Sequence, residues 1–221
     1  MRAILLFCTV VTLGAGLLLL GGCAGQPTRF YILSPLPGTE AASPATSPGH
    51  GPAIGIGPVT LPRYLDRPQI VTRAGPYQLQ LGEYDRWAEP LETNFSRAFA
   101  ENLSLLMATD QVAIHPWPRG TPIDYQVSIE VAHFVGQRDG ESVLVANWTL
   151  FRGEGQEALV SRKSRYSTPV AGEAYEAMVA AMSQTVADLS RDIASTIREL
   201  GPVASTLKTS PSRRATGRAR P

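Results

Sequence analysis

The sequence predicts an α/β protein of the α+β two-layer kind: a mixed sheet of about six or seven strands with two main helices packed on one face. Short β-branched and aromatic runs, bounded by Gly, Pro and Asp, recur along the chain as strands do. Two stretches instead repeat apolar residues every three or four positions, one from Leu91 to Met107 and one from Glu173 to Leu200, as amphipathic helices do. A strand–helix–strand order in the middle, followed by hairpin strands and a last helix, suits a two-layer domain.

The first element is an export signal. Arg2 is its basic start, Ile4 to Leu20 is its apolar run, and Leu20-Gly21-Gly22-Cys23 closes it with small residues, the order of a secretory leader. An apolar residue, two small ones and a cysteine resemble a bacterial lipobox, which makes Cys23 the lipid-attachment site and residues 1–22 the signal peptide. The competing reading, an uncleaved membrane helix, is weaker because Ala24-Gly25-Gln26-Pro27 follows with no basic stop. Cleavage removes 22 residues and leaves 199 of the 221, enough for one domain with a substantial core. Of the 20 basic residues only Arg2 leaves, so the remainder balances at 19 basic and 19 acidic. Five of those basic residues, from Lys208 to Arg220, crowd the C-terminus. The folded part is therefore mildly acidic, which argues against nucleic-acid binding. Cys8 departs with the signal and Cys23 carries lipid, so no thiol remains for a disulfide or a metal.

The domain is expected over residues 23–202. Thr28 to Leu33 reads as a strand, and Pro35 to Pro52 as a flexible loop rich in Pro, Gly, Ser, Thr and Ala that also holds His50. In Ile54-Gly55-Ile56-Gly57-Pro58-Val59, Gly-x-Gly lacks the third glycine and helix of a dinucleotide fingerprint. Close backbone approach in a packed sheet explains it better. Gln69–Arg73 and Tyr77–Leu81 form a hairpin around Ala74-Gly75-Pro76. Glu83 to Glu89 then leads into the first helix, with Pro90 at its first position. That helix should end near Met107, and strand Gln111–His115 should complete a right-handed parallel crossover.

Tyr125, Val127, Ile129 and Val131 alternate with polar residues, Asp139-Gly140 turns, and Val143 to Phe151 is apolar on both faces and hence central. Arg162, Lys163 and Arg165 mark Ala158–Tyr166 as a charged edge. The last helix would be roughly 42 Å long at 1.5 Å per residue, against a sheet about 25–30 Å wide at ~4.8 Å per strand. It either overhangs, offering its stripe to a partner or a second copy in a homo-oligomer, or runs diagonally over its own sheet. Gly201-Pro202 stops it, and residues 203–221 read as a disordered basic tail.

No catalytic constellation is legible, so the expectation is a non-enzyme without a cofactor or metal. His50, His115 and His133 have no metal spacing, and neither a nucleophile elbow nor a phosphate loop is present. The polar-aromatic residues before the first helix are the candidates for partner binding: Tyr64, Arg67, Arg73, Tyr84, Arg86 and Trp87, drawn from residue types enriched at interface anchors. They are expected in two loops, where Asp66–Arg67 and Asp85–Arg86 could instead pin the chain. For Trp87 the favoured reading is that it begins the helix's buried stripe, whereas for Arg67 and Arg86 the two readings stand level.

Leu61-Pro62-Arg63-Tyr64-Leu65-Asp66-Arg67-Pro68-Gln69-Ile70-Val71-Thr72-Arg73, then Glu83-Tyr84-Asp85-Arg86-Trp87-Ala88-Glu89-Pro90-Leu91, resemble the PqiC family (paraquat-inducible protein C). These are auxiliary lipoproteins of ABC-type and mammalian-cell-entry transport systems. With Phe30 to Leu33 the resemblance spans roughly residues 23–200. It implies a lipoprotein on the periplasmic face of the outer membrane of a Gram-negative bacterium. Such a protein would dock a mammalian-cell-entry transport protein and its inner-membrane permease, for lipid transport and envelope integrity. It implies no catalytic residues. The alternatives are a lipid shuttle with its own cavity, a cell-envelope hydrolase, and a purely structural envelope protein.

Overall fold

The computed structural model describes residues 26–37 and 51–201; the signal segment, Cys23, residues 38–50 of the Pro/Gly loop with His50, and the basic tail lie outside them. The elements are β1 (Arg29–Tyr31), β2 (Ile54–Thr60), a 3-10 turn (Arg63–Leu65), β3 (Gln69–Arg73), β4 (Leu79–Trp87), α1 (Leu91–Met107), β5 (Val112–Ile114), β6 (Tyr125–Gly136), β7 (Glu141–Arg152), β8 (Glu157–Pro169) and α2 (Tyr175–Leu200). Among the described residues the fold is α+β, with one open mixed sheet of eight strands and two helices. The count exceeds the expected six or seven because β1 and β5, three residues each, both join as short edge strands.

β6 is the hub. Along one side it pairs with β7 over its whole length, and β7 pairs in turn with β8. Along its other side β2 runs parallel to its first half, and β3 meets it at Thr72–Gly136. β2 and β3 therefore lie end to end on one edge of β6, with Leu61–Pro68 looped out between them. β4 returns antiparallel to β3, and β1 adds parallel to β4. The expected parallel crossover from β4 through α1 to β5 does not form. The hairpin at Ala74–Gln78 has already reversed β4, so β5 lies parallel to β2 instead.

Both helices cover one face. Phe95 of α1 meets Phe134 edge-on at 5.6 Å. A Cβ on Gly136, two residues further along β6, would lie 2.3 Å from Cγ of Met178 in α2. α1 ends at Met107 because Ala108 turns left-handed at φ 49°, and Gly201 at φ 73° ends α2. Pro90 sits one position before its expected place, as the N-cap. The apolar stripe of α2 is buried from Met178 to Ile197, against the sheet and α1. The overhang is thus not seen, and Leu200 is the large apolar residue left exposed on this helix.

Gly55 and Gly57 are explained by close approach. A Cβ at Gly55 would meet Trp117 at 3.0 Å, and one at Gly57 would meet Cβ of His115 at 2.5 Å with φ at 127°. The loop expected from Pro35 begins differently from its composition. Leu33 and Leu36 are buried, and residues 32–37 form an extended strap across the helical layer. The Leu33 N–H donates to Oδ1 of Asn94 and the Leu36 N–H to Oδ1 of Asn102, both at 2.7 Å; the Ser34 N–H donates to Oγ of Ser183 on α2 at 3.1 Å. Asn94 and Asn102 are buried on α1, where an amide must find partners. The backbone of the strap supplies them.

Candidate functional site

Of the six residues expected to face a partner, Trp87 lies in the core, Arg73, Tyr84 and Arg86 lie on the helix-free side of the sheet, and Tyr64 and Arg67 lie on the segment looped out between β2 and β3. Tyr84, Arg86 and Trp87 lie in β4 rather than in a loop, because this strand runs six residues past the expected Leu81. A break in the pairing between Gln69–Arg86 and Val71–Leu81 disguises its alternation. Trp87 is buried in the core, its N–H held by the Pro68 carbonyl at 2.7 Å. Its neighbour Asp85 points to the helical side, so Tyr84 and Arg86 alternate onto the opposite face. Arg86 sits in register with Phe30 and Gln69, and its Nε is buried without a hydrogen-bond partner. Tyr84 is half-buried beside Glu83, which raises its pKa chiefly through their hydrogen bond.

Tyr64, on the 3-10 turn, is half-buried within reach of the Phe134 backbone, and burial pushes its pKa up. Arg67 is exposed. Arg73 ends β3, and its Nη1 donates to the Pro76 carbonyl at 3.2 Å. Asp66 is exposed at the end of the looped-out segment, and no ion pair joins it to Arg67 among the described residues. Asp85 reaches Arg29 instead.

That second cluster was not legible. Asp85, 5% exposed, receives Arg29 Nε at 2.9 Å and the Tyr31 hydroxyl at 2.7 Å. It thereby ties the first strand to β4. Burial, then the hydrogen bond and charge of Asp85, push the Tyr31 pKa from 10.0 up to about 12, opposed by Arg29. The raised value means the folded state prefers the neutral phenol. Its stabilisation is whole below about pH 10 and lost as pH rises towards about 12. In thermal melts, Tyr31→Phe should be the less stable protein at neutral pH, with the gap closing over that alkaline window. A gap independent of pH would disprove the linkage.

Beside the strap runs a groove of about 670 Å3, lined by Phe30, Ile32 and Pro35 on one side and Val179, Ala180 and Ser183 of α2 on the other. Phe30 and Ile32 are 66% and 44% exposed. A smaller cavity lies on the helix-free face around Arg73 and His133. Among the described residues no three His, Cys, Asp or Glu side chains could hold a metal, and no helix is long and apolar enough to cross a membrane.

Comparison with known proteins gives a family and a fold. The model of the family described as ABC-type transport auxiliary lipoprotein component matches residues 31–194. A crystal structure of an uncharacterised protein is 22% identical with a TM-score of 0.61, over 79% of this chain and 99% of that one. A second, a DUF330-family protein from Xanthomonas campestris, is 20% identical with a TM-score of 0.59, over 75% of this chain and 92% of that one. Both share the fold. No curated protein sequence matches significantly.

Proposed function

The chain belongs to the family of ABC-type transport auxiliary lipoprotein components, and on that premise we propose that it is a non-enzymatic docking subunit of an intermembrane lipid transport system. Cys23 carries the lipid that holds it to the periplasmic face of the outer membrane. A mammalian-cell-entry transport protein, served by an inner-membrane permease, docks on the helix-free sheet face, and the bridge so formed maintains the envelope. The observation that carries this reading is the family match, which takes in nearly the whole folded domain from Tyr31 to Ala194. The surface chemistry agrees: Tyr64, Arg67, Arg73, Tyr84 and Arg86 are all at least partly exposed.

The anchor and the domain are close together. Only Ala24 to Thr28 separate Cys23 from β1, at most about 18 Å when fully extended. At ~0.8 kcal/mol per buried CH₂, one acyl chain binds only marginally and several bind for good.

Two measurements test the proposal together. Cys23→Ala should move the protein out of the outer-membrane fraction. Crosslinking of the wild type should recover a mammalian-cell-entry protein, with recovery reduced at least several-fold by Arg86→Glu. Retention of the alanine variant at the membrane, or recovery of no such partner, would overturn it. The groove beside the strap favours a second reading, a shuttle that carries lipid itself. Phospholipid bound to the protein in native mass spectra would support the shuttle over pure docking.

A further inference from the structure

On the helix-free face, β3, β6, β7 and β8 bring basic side chains together above a small apolar floor. Val135 pairs across to Val143, and His133 to Val145, which pairs in turn with Arg165. Arg73 follows Thr72, the residue of β3 that pairs with Gly136. Val135 and Val143 are only 2% and 7% exposed, although among the described residues no helix lies on their side of the sheet. The cavity above them holds about 260 Å3 and is walled by Arg73, His133, Gln137, Glu141 and Arg165.

The charges in this wall do not cancel. Glu141 is its one carboxylate, and it is already engaged by Arg165 at 3.4 Å and by the Ser167 hydroxyl. Arg73 donates to the Pro76 carbonyl and has no ion-pair partner among the described residues. One guanidinium is thus left without a counter-charge beside an imidazole. We propose that this cavity binds a phosphate group, presented as free inorganic phosphate or as a phospholipid headgroup.

The chemistry and the size both fit. Arginine offers forked N–H donors matched to phosphate oxygens, and the imidazole adds a donor that becomes cationic when protonated. At about 30 Å3 per water the cavity holds roughly eight waters, enough for a phosphate and part of its hydration. Acyl chains would remain outside. This inference does not depend on the docking partner.

His133 is the built-in reporter. Burial first, then the charges of Arg73 on β3 and Arg165 on β8, push its pKa below 6.5. Glu141 on β7 and the neutral Gln137 also face the cavity. A bound phosphate anion opposes the arginine effect and raises that pKa, so binding of a phosphodiester monoanion takes up a proton and strengthens as pH falls.

The test follows the ring C–H signals of His133 by NMR in the full chain, held in a maltoside detergent and assigned with His133→Gln. One arm adds inorganic phosphate and the other dihexanoyl-phosphatidylglycerol. Saturable displacement of the His133 signal, with its pKa rising, is expected from at least one probe. Phosphate alone identifies the free ion as the source; the lipid alone identifies a headgroup. Arg73→Gln should weaken binding roughly ten- to hundred-fold, the effect of one hydrogen bond to a charged group. Arg73→Lys should weaken it less, and both variants should keep the wild-type melting temperature within a few degrees. The proposal is overturned if neither probe moves the His133 signal, or if binding is unchanged in the Arg73→Gln/Arg165→Gln pair.

Discussion

Alanine in place of Trp148 is expected to lower the unfolding free energy by about 3–5 kcal/mol, the range for losing a buried tryptophan side chain. The ring lies at the middle of β7, 1% exposed, in register with Ile129 on β6 and Arg162 on β8. Its Nε1 donates to Oγ of Ser164 at 3.1 Å, and the Arg162 guanidinium stands 5.7 Å from the ring centroid. Arg162 also pairs with Asp192 of α2 at 3.6 Å, and the Tyr166 hydroxyl donates to the same carboxylate at 2.7 Å. Truncation therefore opens a cavity and removes the platform on which the α2–β8 contacts rest. Since a domain has only about 5–15 kcal/mol in total, this change should take roughly a fifth or more of it. Urea unfolding reads the effect as a lower midpoint at constant slope. A loss below about 1 kcal/mol would show that the surroundings collapse into the space, contrary to a rigidly packed layer.

The strap gives the second large effect. Asn102→Leu keeps the branching and heavy-atom count of the side chain but leaves the Leu36 N–H buried without its 2.7 Å acceptor. An orphaned buried donor costs about 1–3 kcal/mol. Asn94→Leu does the same to Leu33, whose N–H also lies 2.7 Å from its acceptor. Because both amides hold one strap, the double variant should depart from the sum of the singles. The expected signature is local: faster proteolysis at residues 33–37 before global unfolding begins. Cleavage there no faster than in the wild type would mean that Leu33 and Leu36 are held by packing alone.

Both helices and the main hairpins were legible, because their signals are local. The α1 stripe ends where expected at Met107, and α2 ends at Leu200 before Gly201. Asp139-Gly140 turns β6 into β7, and the arginines and lysine of β8 do lie on a sheet edge. The misses are equally specific. Composition makes Pro35–Pro37 look like linker, yet Leu36 is core because Asn102, far along the chain, accepts its N–H. Glu83–Arg86 lacks a clean alternation because the pairing of β4 is irregular there. The loss of phase at Ala132 has a similar cause, a shift in register between Val131 and His133.

The candidate partner residues show the same division. Residue type alone picked out Arg73 and Arg86 as notable and already favoured the core for Trp87, which the fold buries. It could not join Arg73 to His133 and Arg165, since those residues meet only through the pairing of β3 with β6 and of β6 through β7 to β8. The sequence by itself determined the lipobox at Cys23 as an expectation, the two amphipathic helices, their stops and the α+β class, all of which depend on neighbours a few residues apart. Only the tertiary structure decided which side chains share a face, which amides hold the strap and where the cationic cavity forms. Strand register and sheet order depend on contacts between residues distant in the chain, and no local periodicity encodes them.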